Sequence, residues 1–272
     1  MMIDTTCGRM SVDVAGDGPD VLLWPSLLCD GSMWRYQLPA LSARHRVISV
    51  DPPGHGRSEP VPRAYTLDDC VTAALTIMDA LGVARTTWCG LSWGGMVGMR
   101  VAARFPERVN ALVLADCSAR VAPALDRLKY GLLAGIARRY GVSDLLARVV
   151  MRIMFHAPSA HPEAVSQAVA VAKRLDRASL GRAVDAVLLH RNDVSDAVRR
   201  IAVPTLVVVG EHDRATPVAE SEHIARLVPR SHFLKLPHAG HLSALEAPDR
   251  FTAELVRFLG SLPATRGAAT SV

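Results

Sequence analysis

The segment Gly90-Leu91-Ser92-Trp93-Gly94-Gly95 sets a serine among glycines, directly after an apolar strand-like run and directly before a helix-period run. In that context the short pattern G-x-S-x-G reads as a nucleophile elbow. Glycines without Cβ let strand and helix approach while the serine hydroxyl projects from a sharp, strained turn. The helix N-terminus behind it favours developing negative charge. A serine hydroxyl is a weak nucleophile until a base takes its proton, so the site also demands a histidine oriented by a carboxylate, the chemistry of acyl transfer.

Both partners stand further along. Gly210-Glu211-His212-Asp213-Arg214 follows the apolar run Leu206 to Val209, and Pro237-His238-Ala239-Gly240-His241 follows the run His232 to Leu236. Asp213 and His241 are then expected on loops at the carboxyl edge of a sheet, on the same rim as Ser92. Asp116, which ends the run Val109 to Ala115, and Glu211 are rival carboxylates, and His238 is a rival base. Gly240 frees the loop to turn the His241 side chain inward, which favours His241. The oxyanion of acyl transfer calls for two backbone N–H groups. One is the amide of Trp93. The other is expected from Pro25-Ser26-Leu27-Leu28, with Leu27 first and Leu28 as the fallback, since Pro25 has no N–H. A contribution from the Ser26 side chain is weaker than a turn role.

Asp51-Pro52-Pro53-Gly54-His55-Gly56-Arg57-Ser58 lacks the Gly-Lys-Ser end of a phosphate loop and reads as a structural turn. His55 has no second ligand at helical spacing, so it reads as a hydrogen-bonded turn histidine. No metal and no cofactor site is legible.

These residues need a frame. Met10 to Ala15 alternates and reads as an edge strand, while Val21 to Trp24 and Val47 to Val50 are apolar throughout, as buried parallel strands are. Thr66 precedes a helical run with Leu67, Val71, Ala74, Leu75, Met78 and Leu81 on one face, stopped at Gly82. Thr87 to Cys89 ends a strand, Gly94 to Phe105 is a helix, and Val109 to Ala115 is a strand. From Ser118 to about Arg200 the strand-like runs vanish in favour of helical ones, Leu125, Leu128, Leu132, Leu133 and Ile136, then Leu145, Leu146, Val149 and Ile153. An ordinary crossover needs one helix, so this stretch predicts a lid or cap. Sheet texture returns at Thr205 to Val209, followed by helices near Pro217 to Leu227 and Pro248 to Leu259. The expected divisions are a core in two parts, 1–117 and 201–260, a cap at 118–200, and a frayed tail at 261–272.

Composition narrows the classes. Half of the 272 residues are hydrophobic and 21% are charged, which excludes collagen, coiled coil and long-range disorder. The formal charge is +5, but the arginines are scattered and no basic run exceeds two, so a nucleic-acid partner is not expected. Cys7, Cys29, Cys70, Cys89 and Cys117 form no C-x-x-C pair and read as reduced core residues. The start lacks the charged and apolar regions of a secretory signal, and no apolar stretch is long enough for a membrane span; a cytoplasmic location without a membrane partner is expected. A homodimer is left open.

Several segments carry a family resemblance: Pro25-Ser26-Leu27 with Trp34, the D-x-x-G-H-G-x-S loop at Asp51 to Ser58, the elbow at Ser92, Phe105-Pro106-Glu107-Arg108-Val109, Gly210-Glu211-His212-Asp213 and Ala239-Gly240-His241-Leu242. From about Val12 to Leu259 the chain resembles the α/β-hydrolase superfamily, which has the chain order Ser, Asp, His. Within it, the chain is similar to the 3-oxoadipate enol-lactonase and carboxylesterase group. The resemblance implies a mostly parallel sheet flanked by helices with a helical cap after the sixth strand. It also implies Ser92, Asp213 and His241 as the triad, with Leu27 and Trp93 at the oxyanion hole. Two departures from that group, the stretch Pro25-Ser26-Leu27-Leu28 and Trp93, are expected to line the acyl site. Aspartate nucleophiles of the same fold, as in epoxide hydrolases and dehalogenases, are argued against by Ser92.

The reaction expected is hydrolysis of a small-molecule ester or lactone through an acyl-enzyme. In the cap, Met151, Met154, Phe155 and Leu188 suggest an adaptable apolar wall, with plain helix packing as the alternative. Arg120, where the chain enters the cap, could meet a substrate carboxylate or be a surface arginine. Carbon–carbon bond hydrolysis and cofactor-free perhydrolysis use the same triad. A slow-turnover ligand-binding or receptor protein is the rival from another class.

Overall fold

The structure is a computed structural model and describes residues 1–263. Eight strands form its sheet: β1 (Met2–Thr5), β2 (Gly8–Ala15), β3 (Asp20–Trp24), β4 (Arg46–Val50), β5 (Thr86–Leu91), β6 (Val109–Ala115), β7 (Thr205–Gly210) and β8 (Ser231–Leu236). Their spatial order is β1-β2-β4-β3-β5-β6-β7-β8. All neighbours from β4 to β8 pair in parallel, while β2 runs antiparallel to both β1 and β4. The sheet edge is therefore β1 rather than the Met10 to Ala15 run, which lies one strand in. Only Ile3 of β1 is buried, so its sequence carries no alternation long enough to announce a strand.

Continuous apolar runs mark the central strands because both faces are covered. A short helix, α1 (Leu38–Ser42), lies between β3 and β4, and Leu22, Ile48, Trp88 and Leu112 pack in the layer that holds α2 (Leu67–Ala80) and α3 (Trp93–Arg104). Val21, Leu23, Cys89 and Val113 pack in the opposite layer, with Trp34 and with Phe251 of the C-terminal helix, Pro248–Gly260. Helix α2 starts where its sequence says it should. Thr66 accepts from the Asp69 amide while the Asp69 carboxylate accepts from the Thr66 amide, a capping box, and Gly82 beyond its end has φ +68°. All five cysteines are buried and unpaired.

Five helices lie between β6 and β7: α4 (Ala124–Tyr140), α5 (Asp144–Met154), α6 (Pro162–Arg174), α7 (Arg177–Val184) and α8 (Ser195–Val198). Most of the leucines that mark α4 as helical, Leu133 excepted, are not its buried face. Leu125, Leu128 and Leu132 are exposed, and Tyr130, Leu133, Ala134 and Ala137 turn toward the sheet's carboxyl rim. Helix α7 runs into a wider turn, Asp185–Leu189, closed by the His190 amide on the Asp185 carbonyl five residues back (2.8 Å). Among the described residues no helix is long and apolar enough to cross a membrane. The tail expected from Ser261 onward lies, from residue 264, outside the described residues.

Candidate active site

Ser92 stands between β5 and α3 with φ 53° and ψ −105°, a conformation that costs energy for any residue with a Cβ. Close packing around it enforces the turn. A Cβ on Gly94 would lie 2.0 Å from the Trp24 carbonyl oxygen, and one on Gly90 would lie 2.1 Å from the Gly94 backbone. Leu28 (φ 65°), Asp116 (φ 49°) and His238 (φ 59°) are the other described non-glycine residues with positive φ, and all four sit on the loops that meet at this rim.

Across the rim, Ser92 Oγ is 2.9 Å from His241 Nε2, and His241 Nδ1 is 2.9 Å from Asp213 Oδ2. All three side chains are buried. The other Asp213 oxygen accepts from the Ala215 and Thr216 amides at 2.8 Å each. Thr216 Oγ1 adds a contact at 2.8 Å to Asp213 Oδ2, a supporting residue that no motif in the sequence identifies. Burial pulls the His241 imidazole down, but the Asp213 charge and hydrogen bond outweigh it, so its pKa stands above the ordinary histidine value.

The rivals are placed elsewhere. Asp116 is buried behind this group, where it accepts from the Gly210 amide (2.8 Å) and meets the Ser243 hydroxyl, without a hydrogen bond to His241. Burial, and then the charge of Asp213, push Asp116 far above the usual carboxylate range. Glu211 is exposed beside Lys235 and His212, and His238 is exposed on its loop. Glu246 is a further carboxylate that sequence reasoning did not single out. Its Oε1 accepts from the Gly240 amide and its Oε2 from the His156 amide, each at 2.8 Å, fastening the His241 loop to the segment that leaves α5. Burial pushes Glu246 up to about 7.

The two amides expected to face an oxyanion, Leu27 and Trp93, carry no hydrogen bond to another described residue. The fallback amide, Leu28, donates to His55 Nε2 (3.3 Å), while His55 Nδ1 lies 2.9 Å from the Pro53 carbonyl. His55 is thus the turn histidine expected, and it also holds the loop that carries Leu27. Burial lowers its pKa to about 4, so the ring is neutral, donating from Nδ1 and accepting at Nε2. A folded pKa below the unfolded one gives stability that is complete above about 6.5 and is lost as pH falls toward 4, on the order of 3 kcal/mol. His55→Asn is expected to flatten the fall of melting temperature across that range and to lower kcat more than it changes KM. An unchanged acid profile would refute the first expectation, and an unchanged kcat the second.

A cavity of about 1040 Å³, counted out to solvent, opens above Ser92 and His241. Ser26, Leu27, Leu28, Met96, Thr216 and inward residues of α4 to α7 line it, including Met151, Met154 and, on the wider turn, Leu188. Three expected residues are placed differently. Phe155 packs in the core layer with Trp34 and Phe251, because the chain turns away from the cavity at the end of α5. The Trp93 ring is fully buried against His55, Tyr65 and Trp24, so it does not line the site. Arg120 is 42% exposed and its guanidinium is engaged by Glu220 (3.1 and 2.5 Å), away from the cavity wall.

A mostly parallel sheet with a serine elbow at its carboxyl rim, the serine hydrogen-bonded to a histidine after β8 and that histidine to an aspartate after β7, has the architecture of the α/β-hydrolase fold. The chain belongs to the alpha/beta hydrolase fold family, whose pattern matches residues 19–248. It is 28% identical over 240 residues to 3-oxoadipate enol-lactonase 2 of Acinetobacter baylyi, covering 86% of each chain. Pimeloyl-[acyl-carrier protein] methyl ester esterase of Nitrosomonas europaea is 27% identical over 250 residues, covering 89% of this chain and 96% of that one. Among solved structures, the enol-lactonase from Burkholderia xenovorans LB400 superposes with a TM-score of 0.89 at 29% identity, covering 96% of this chain and 100% of that one.

Proposed function

We propose that the protein hydrolyses carboxylic esters or lactones with Ser92 as nucleophile. His241 takes the Ser92 proton as the hydroxyl attacks the carbonyl, and Asp213 holds the imidazole in the tautomer that presents a free Nε2. The tetrahedral oxyanion is met by the Leu27 and Trp93 amides, both without another partner. His241 then gives its proton to the departing alcohol, leaving an acyl-enzyme. Water, deprotonated by the same histidine, releases the acid and restores Ser92. The observation that carries this reading is the unbroken hydrogen-bond chain from Ser92 through His241 to Asp213, at 2.9 Å per link, on the floor of a mainly apolar cavity. Relatives named for a lactonase and a methyl ester esterase agree with the reaction class.

The test is intact-mass labelling with a fluorophosphonate. One adduct on the wild type, absent from Ser92→Ala, is expected and leads to a panel of esters and lactones. A folded wild type that takes no adduct would sink the proposal and favour a binding protein.

A further inference from the structure

The insertion between β6 and β7 carries an apolar face that no described part of the chain covers. Helix α4 turns Leu125, Leu128, Leu132 and Ile136 outward, at spacings of three and four that stack on one side of a helix turning about 100° per residue, and Tyr140 ends the row. The three leucines are 78%, 71% and 67% exposed. Leu145 and Val149 follow on the outward side of α5. Eight of the thirteen large hydrophobic side chains exposed among the described residues fall between Val121 and Val149, so they form a patch rather than the scatter found on any protein surface. The seven on α4 and α5 together present on the order of 700 Å², above the roughly 300–600 Å² of the largest apolar patch on a typical monomer.

The free charges among them are of one sign. Lys129 and Arg139 on α4 and Arg148 and Arg152 on α5 are exposed, and none of the four has an ion-pair partner among the described residues. The nearby acids are otherwise placed: Asp144 holds Lys173, Asp185 holds Arg138 at 2.6 Å, and Asp126 is half-buried on the Tyr130 side of α4. A second copy on a two-fold axis would set the same four positive charges against these, with no exposed, unpaired carboxylate of α4 or α5 to answer them. Leucines set among unpaired cations suit the boundary of an anionic bilayer, where apolar side chains enter the acyl region and Lys and Arg reach up to the phosphates. The expectation of no membrane partner rested on the lack of a spanning segment, which does not bear on a helix lying in the plane of the surface.

We propose that the outward face of α4 and α5 docks the protein on an anionic phospholipid surface, with the α4 axis in the plane of the bilayer. The inward residues of the same helices, among them Leu133, Ala137, Leu146 and Val150, wall the cavity above Ser92, so docking holds that cavity about 10 Å, one helix diameter, from the lipid. The docking does not depend on the reaction at Ser92.

Co-sedimentation of the full chain with large unilamellar vesicles, of phosphatidylcholine alone or mixed in equal parts with phosphatidylglycerol, is the test. The anionic vesicles are expected to bind at least about 10-fold more tightly than the neutral ones, and to release the protein as salt rises from about 0.1 M toward 1 M. Leu128→Gln/Leu132→Gln lowers the affinity about 10-fold or more by removing apolar burial, and Lys129→Glu/Arg139→Glu does so by reversing charge. Arg226→Glu/Arg250→Glu, the same charge change outside α4 and α5, lowers it by less than about 3-fold. All six positions are exposed, so the melting temperatures stay within a few degrees of the wild type's. The four native tryptophans are buried, so the emission of Leu132→Trp reports on the face itself and is expected to move to the blue with anionic vesicles only. Binding that is absent, equal for the two kinds of vesicle, or lowered no more by Leu128→Gln/Leu132→Gln than by the distant pair overturns the proposal. So does a dimer in sedimentation equilibrium that Leu128→Gln/Leu132→Gln converts to monomer while no vesicle binds, since that assigns the face to a second copy.

Discussion

Ser92→Ala is expected to lower kcat on any accepted ester by about a millionfold, and to do so without unfolding the protein. The hydroxyl is the only group of the elbow that reaches His241 (2.9 Å), so its loss removes both the nucleophile and the proton that His241 moves. The Leu27 and Trp93 amides survive the change, which leaves a residual rate of about 10³ to 10⁴ over water. Alanine keeps the Cβ that serine already carries in the φ 53° conformation, and the close contacts of Gly90 and Gly94 are untouched, so the melting temperature should move by only a few degrees. Steady-state kinetics and a thermal melt check both halves. A variant that keeps more than about one hundredth of the activity would place the nucleophile elsewhere. Ser26, whose buried hydroxyl has no partner on the same cavity wall, would then be the residue to replace next.

What the sequence makes legible here is local. Strand, elbow and helix around Ser92 are contiguous, and the apolar runs of β3 to β7 report burial on both faces whatever surrounds them. Asp213 and His241 follow strands directly, so their places on the rim follow from the strands. Trp93 shows where adjacency misleads. At a helix start the backbone N–H lies along the axis while the side chain projects radially, so the Trp93 ring enters the core whatever its amide does. Arg120 and Arg191 show the same limit at longer range. Arg120 precedes α4 and Arg191 follows the wide turn after α7, and the Arg191 side chain bonds the Arg120 carbonyl, so the two stretches meet and only Arg191 reaches inside. Nothing in the periodicity of α4 to α7 tells how that layer closes over Ser92. Thr216 and Glu246 are silent for a related reason: each acts by bonding residues whose proximity exists only once the rim loops are folded together.

Asp213→Asn should lower kcat about 10⁴-fold, and the reason lies in the hydrogen bonds around the carboxylate rather than in lost charge alone. Oδ1 of Asp213 accepts from two amides, Ala215 and Thr216, and an asparagine in this place keeps those bonds only by retaining its oxygen there. Its NH₂ group then faces His241 Nδ1, which must accept, and the ring proton moves to Nε2, where it points at Ser92 and blocks proton removal. The same change shifts the acid limb of the pH profile. In the wild type His241 must be neutral to act, and the Asp213 charge raises its pKa against the pull of burial, so activity fails as pH falls through that raised value. Without the charge, burial wins a larger share and the residual activity of the variant should persist to lower pH than the wild type's. Asp116 and Glu246 also raise the His241 pKa and remain in the variant, so the shift is partial. Profiles of kcat/KM from about pH 5 to 9 for both proteins decide the matter. A loss of less than about tenfold, with the acid limb unmoved, would mean that Asp116 turns from Gly210 and Ser243 to orient the histidine, and that the aspartate after β6 rather than the one after β7 completes the site.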